Sequence, residues 1–218
     1  MRADILRGDW SPGERLSPTA LAVKYGASTT VAREALTRLA GEHFVELQPH
    51  RGFFVPRLHL PGLQDLTLVR CQVESLALEL SIDRGDLTWE SELIACHHRL
   101  IRTPRRLADS PGQIGEEWAV LHREFHAKLI EACNVPLLLS LCADMSDATE
   151  LYRRWAAPTK EGSRRDVEAE HRRILEAALA RDAHGATEGL REHYQRTVNV
   201  LVASGLVSGV GSDPSAPD

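Results

Sequence analysis

The chain has 218 residues, 43% hydrophobic and 26% charged, with a formal net charge of −5. That make-up describes a folded globular protein of one or two domains and excludes a chain that coats nucleic acid through bulk positive charge. No apolar run approaches the ~20 residues needed to span a bilayer, and the opening MRADILRGDW lacks a signal core, so no membrane contact is expected and the cytoplasm is the expected compartment. Cys71, Cys96, Cys133 and Cys142 form no CxxC pair and are expected as buried free thiols.

Residues 2–7 read as the end of a helix, stopped at Gly8-Asp9, and Trp10-Ser11-Pro12-Gly13 reads as a turn. Ser17 and Pro18 then open a short helix that Gly26 closes. Ser28 opens a second, with Val31, Ala35, Leu36 and Leu39 at three- and four-residue spacing. Phe44–Leu47 reads as a strand, 48–52 as a hairpin tip and Phe53–Val55 as the returning strand. Two capped helices around a glycine turn describe either an ordinary helical hairpin or a helix-turn-helix. The hairpin behind them favours a winged helix-turn-helix, because a lone hairpin is marginal unless it packs on helices.

A proline-bracketed stretch, 57–62, is the expected linker between a DNA-binding domain of residues 1–56 and a helical domain of 63–203. From Leu63 every long segment has helical periodicity. Leu66, Val69, Val73, Leu76 and Leu80 form a stripe expected to face other helices, and Gly85 ends that helix. Asp86 caps the next. Residues 103–115 are an expected loop, helices are expected over 113–133, 136–156, 164–181 and 186–203, and 204–218 is an expected disordered tail. Residues 1–56 carry +1 and the remainder −6, which fits a small DNA-facing module on an acidic partner domain. The expected fold class is mainly α: an N-terminal winged helix-turn-helix plus a C-terminal all-α bundle.

His122 and His126 are spaced i and i+4 and share one helix face; His171 opens the stripe Ile174, Leu175, Ala178; His193 lies beside Leu190 and Thr197. Four such histidines either pack as hydrogen-bonded core residues or converge on a metal, and imidazole-only coordination suits zinc or nickel. Arg70, next to the apolar stripe, is a candidate anchor for a carboxylate; its alternative is an intrahelical pair with Glu74. Arg153-Arg154 and Arg164-Arg165 are expected on solvated faces.

Gly8, Pro12-Gly13, Leu21-Ala22, Gly26, Ser28, Arg33-Glu34-Ala35-Leu36 and Arg51-Gly52 together resemble the N-terminal domain of GntR-family transcriptional regulators. Three further segments, RCQVESLA at 70–77, HREFH at 122–126 and EHRRIL at 170–175 with His193 beyond, resemble the FCD-type ligand-binding domain of the FadR subfamily. The resemblance implies a homodimeric regulator, expected to repress, that reads an inverted-repeat operator in double-stranded DNA. It also implies a small organic acid effector beside a divalent metal. Ser28, Thr29, Thr30 and Arg33 are the expected groove-facing residues, with His50, Arg51 and Gly52 from the wing. His126, His171 and His193 fall on the family's three metal histidines, and His122 stands where the family carries Asp. Thr29 stands where the family pattern has Arg, and Met1 falls well inside the family's first helix, leaving an upstream start open. Two other readings stay open: a metal-dependent hydrolase using the histidines, against which the absence of HExxH or a nucleophile elbow argues, and a DNA-binding protein with an inert dimerisation bundle.

Overall fold

The computed structural model describes residues 1–57 and 59–205. Its head contains α1 (Arg2–Arg7), β1 (Arg15–Leu16), α2 (Pro18–Tyr25), α3 (Thr29–Gly41), β2 (Glu46–Gln48) and β3 (Gly52–Phe54). The helical part contains α4 (Leu60–Arg84), α5 (Leu87–Arg102), a hairpin of β4 (Arg106–Leu107) and β5 (Ser110–Ile114), α6 (Glu116–Glu131), α7 (Pro136–Ala156), α8 (Lys160–Arg164), α9 (Val167–Leu179) and α10 (Ala183–Ala203). The protein is mainly α, as its sequence leads one to expect.

The head follows from its punctuation. The Ser17 hydroxyl accepts from the Ala20 N–H, and the Ser28 hydroxyl from the Val31 N–H, so each of α2 and α3 starts on a side-chain cap. Gly26, at φ 62°, closes α2 in the left-handed region and turns the chain into α3. Leu21, Ala32, Leu36, Leu39, Phe44, Val45, Phe53 and Val55 bury one shared core. A third strand was not expected: β1 pairs antiparallel with β3, Arg15 opposite Phe54, and completes a β1-β3-β2 sheet.

Several expectations for the helical part are corrected. Residues 60–62 of the expected linker belong to α4, because the His59 imidazole accepts from the Gly62 N–H and caps a helix beginning at Leu60. The expected loop at 103–115 contains the β4–β5 hairpin, fastened where Arg106 donates to the carbonyls of Ala157 (2.8 Å) and Gly162 (3.2 Å). The helix expected over 164–181 is broken between α8 and α9. The expected stripe on α4 is met in part: Val73 and Leu80 pack against the core and Leu66 is half-buried. Val69 and Leu76 are exposed, while Leu63, Thr67, Arg70, Glu74, Ala77, Leu78, Ser81 and Ile82 are buried. A pair that neutralises itself, Arg70 with Glu74, lets two charged side chains turn inward among Leu63, Ala77, Leu78 and Ile82. Of the expected tail only Ser204 and Gly205 fall among the described residues, and 206–218 lie outside them.

Around that inward face of α4, helices α5, α6, α9 and α10 close the large core that contains Leu78, Leu93, Phe125, Leu129, Ile174 and Leu190. Helix α7 is shared, since Leu151 is buried in the core of the head. The cysteines are free, three buried and Cys71 half-buried. Among the described residues no helix is long and apolar enough to cross a membrane.

Candidate metal centre and nucleic-acid surface

Helix α6 turns His122 and His126 inward one above the other. Helix α9 contributes His171 from its second turn and α10 contributes His193. The four side chains meet in the bundle, all buried, with candidate ligand nitrogens within 4.8 Å of one another. The Nε2 atoms of His126 and His171 lie 3.3 Å apart. Two nitrogens on one tetrahedral zinc, each at ~2.0–2.1 Å, stand ~3.3–3.4 Å apart, so this spacing fits a shared ion.

The surroundings set the free lone pairs. A carboxylate only accepts, so the 2.7 Å contact between His193 Nδ1 and Glu170 is an N–H donated by the ring. Nε2 of His193 is then the unprotonated nitrogen. Tyr194 donates its hydroxyl proton to Glu74, so its oxygen accepts from His126 Nδ1 at 3.2 Å, and Nε2 of His126 is likewise left with a lone pair. This is the outer arrangement that orients metal-binding imidazoles. Burial, reinforced by the neighbouring imidazoles, pushes His122, His126 and His193 well below the usual histidine range. Burial also brings His171 down to about 3, its neighbour Glu170 pulling the other way. All four are neutral at pH 7, the state a metal needs.

Arg70 does not stand open for a carboxylate. It is fully buried, with its Nε on Glu74 and its terminal nitrogens on Thr149 and Tyr194, and its guanidinium carbon lies 4.0 Å from the Tyr194 ring centroid. The intrahelical alternative is therefore the one the structure adopts, and Arg70 acts through Glu74 and Tyr194 on His126. Arg154 and Arg165 are corrected in the same way. Arg154 is buried on Glu150 (2.8 Å), and Arg165 grips Glu170 through two nitrogens while donating to the His193 carbonyl.

Sequence reading missed the supporting roles of Glu170 and Tyr194, named Glu74 only as a partner for Arg70, and put Arg165 on a solvated face. The signal was present in two adjacencies, Glu170-His171 and His193-Tyr194, where one residue faces the cluster and its neighbour reaches around to support another ring. Two more cations line a pocket with His122 and His193: Arg153, and Arg105 at the foot of the hairpin.

On the head, Thr29, Thr30 and Arg33 project from the first turns of α3 and are exposed, beside Ser28, whose hydroxyl is engaged as the cap. His50 (φ 60°) and Arg51 are exposed at the hairpin tip, and Gly52, at φ 101°, is half-buried behind them. Arg15, missed in the sequence, is exposed on β1 close behind Gly52.

The comparisons agree with this division. Residues 1–55 match the family described as "Bacterial regulatory proteins, gntR family", and residues 65–196 match the FCD domain. An uncharacterised HTH-type transcriptional regulator, BphR of Paraburkholderia xenovorans, is 34% identical over 95% of this chain and 84% of its own length. The HTH-type transcriptional repressor GlaR of Escherichia coli is 28% identical over 92% of each chain. Among solved structures, E. coli McbR/YncC superposes with a TM-score of 0.69 at 22% identity, covering 93% of both chains, a likeness of fold.

Proposed function

The chain belongs to the GntR family of bacterial regulatory proteins, with an FCD domain behind its helix-turn-helix, and is a DNA-binding transcriptional regulator rather than an enzyme; from that premise we propose that it is a cytoplasmic, homodimeric repressor whose operator binding responds to a small organic acid held beside a divalent metal. The observation that carries this reading is the cluster of four buried, neutral imidazoles, two of them oriented from behind by Glu170 and Tyr194. His122, His126, His171 and His193 would hold the ion, and an all-nitrogen set favours zinc or nickel over harder metals. When bound, the metal supplies a Lewis-acidic position for an anionic ligand.

In the head, Thr29, Thr30 and Arg33 meet base edges in the major groove, and His50, Arg51 and the backbone at Gly52 approach the duplex from the wing, with the Ser28 cap fixing the start of the helix. We place the boundary between the two functions in the expected linker, ahead of α4. A head of charge +1 gains useful phosphate affinity by acting in pairs, which suits an inverted repeat. Leu68, Val69 and Leu76 on α4 and Leu137 and Leu141 on the adjoining α7 are exposed, and this aliphatic surface supports pairing through the helical domain.

Two variants test the two halves separately. Arg33→Ala should reduce affinity for the cognate operator, about 1–3 kcal/mol for a base-reading arginine, while leaving metal content unchanged. His171→Ala should lose most of about one equivalent of zinc or nickel in elemental analysis of untagged protein. Full stability of the metal-free wild type would instead make the histidines core residues.

A further inference from the structure

The carboxylates around the histidines are committed. Glu74 is paired with Arg70, Glu150 with Arg153 and Arg154, and Glu170 with Arg165 and Arg196. Four neutral imidazoles bring no negative charge, so a divalent ion among them keeps its full charge in a buried site. Compensation has to arrive with a ligand.

One cation nearby has no ion-pair partner among the described residues. Arg105 lies half-buried between α5 and β4, its buried Nε has no hydrogen-bond partner among the described residues, and no carboxylate there pairs with it. Burial lowers its pKa to about 10, helped by Arg106 and Arg165 and opposed by Glu170. It is also held in place: its carbonyl accepts from the Gly115 N–H at 3.0 Å, and its guanidinium lies 5.5 Å from the ring centroid of Trp118, which in turn stacks on His122. Arg105 borders a 300 Å³ cleft whose other walls include His171, Thr103 and Trp118, with Asp166, which caps α9, and Glu168, which is paired with Arg172; it also lines the pocket that contains His122 and His193. A small organic anion fits a space of that size.

We infer that Arg105 is the anion anchor of the helical domain, taking a carboxylate of the ligand while the ligand's other end faces the histidine-held metal. The inference rests on the metal reading above and names the residue through which its ligand is gripped. It also gives the ligand a route to the head. Leu107 and Ile114 of the same hairpin border a 560 Å³ cleft whose opposite wall is Ala3, Leu6 and Gly8. An anion drawing in Arg105 at the foot of the hairpin acts on the wall that faces the head across this cleft.

The test uses full-length, zinc-loaded protein, wild type against Arg105→Met and Arg105→Lys. Melting is followed in chloride alone and in acetate, succinate, citrate and phosphate at constant ionic strength, with zinc measured on each sample. In chloride, R105M should melt higher than wild type by roughly 2–4 °C, because a buried cation beside two others has been removed. At least one organic anion should raise the wild-type melting temperature, R105M should lose that response by tenfold or more in apparent affinity, and R105K should keep part of it. Lower melting of R105M in chloride, equal responses in wild type and R105M, or no response of wild type to any organic anion overturns the anchor. Phosphate acting alone overturns the carboxylate class. Wild type that takes up no zinc overturns the metal reading and the anchor together, whereas bound zinc with an unchanged anion response sinks the anchor only.

Discussion

Glu150 shows how much charge this bundle keeps inside. Burial alone would raise its carboxyl, but Arg153 and Arg154 outweigh burial and hold it at about 2, below its ordinary 4.5. A carboxyl depressed in the folded state contributes stability that is complete above the unfolded value and is lost as pH falls toward the folded one. Glu150→Gln should therefore cost about 3–5 kcal/mol at pH 7, the range for breaking a buried pair. The difference from wild type should shrink as pH falls from 4.5 toward 2, read by urea unfolding at each pH. A difference that stays constant across that interval would refute the assignment. At this scale the four histidines were legible because i,i+4 spacing and apolar stripes are local patterns. Arg70 was misplaced because its destiny depends on Thr149 and Tyr194, 79 and 124 residues away along the chain.

Among the elements, the helix-turn-helix was the most legible, since Ser17, Gly26 and Ser28 each impose a backbone state on their own neighbourhood. The wing depends on one such residue. Gly52 sits at φ 101°, a conformation that side-chain-bearing residues rarely adopt, and it follows His50, itself at φ 60°. Gly52→Val should lower stability by roughly 1–3 kcal/mol and weaken operator binding in a mobility-shift titration, with zinc content unaffected. Undiminished operator affinity would show that the wing does not approach the duplex. The β4–β5 hairpin was hidden because its strands are short and its register slips between Arg106 and Leu107; it is fixed instead by Arg106 on carbonyls some 50 residues away. The α4 stripe misled for a different reason: periodicity finds a face but does not say what covers it. Of the stripe's residues Val73 and Leu80 pack on the core whereas Val69 and Leu76 are exposed, and an ion pair shares the buried face.

At the scale of the molecule, α7 joins the histidine cluster to the DNA-binding head. Thr149 accepts from Arg70, which supports His126 through Tyr194, while two residues along the same helix Leu151 is buried in the head's core. One turn earlier Asp147 is paired with Arg2 of the head (3.2 Å) and with Arg123, the neighbour of His122 (3.5 Å). A ligand shifts the head only by binding one of its placements better than another, and α7 is the element whose position both the cluster and the head sense. Loss of the Leu151 side chain should weaken that link, since truncating a buried leucine costs about 2–5 kcal/mol locally. In wild type, removing zinc with a chelator should change operator affinity, with a coupling of about 1–3 kcal/mol. In Leu151→Ala the same treatment should leave operator affinity nearly unchanged, although the variant still binds zinc and still binds DNA. Fluorescence anisotropy on a labelled operator, with and without chelator, separates the outcomes. A variant that keeps the full zinc dependence would move the connection from α7 to the hairpin wall, where Leu107 and Ile114 face the head across the cleft.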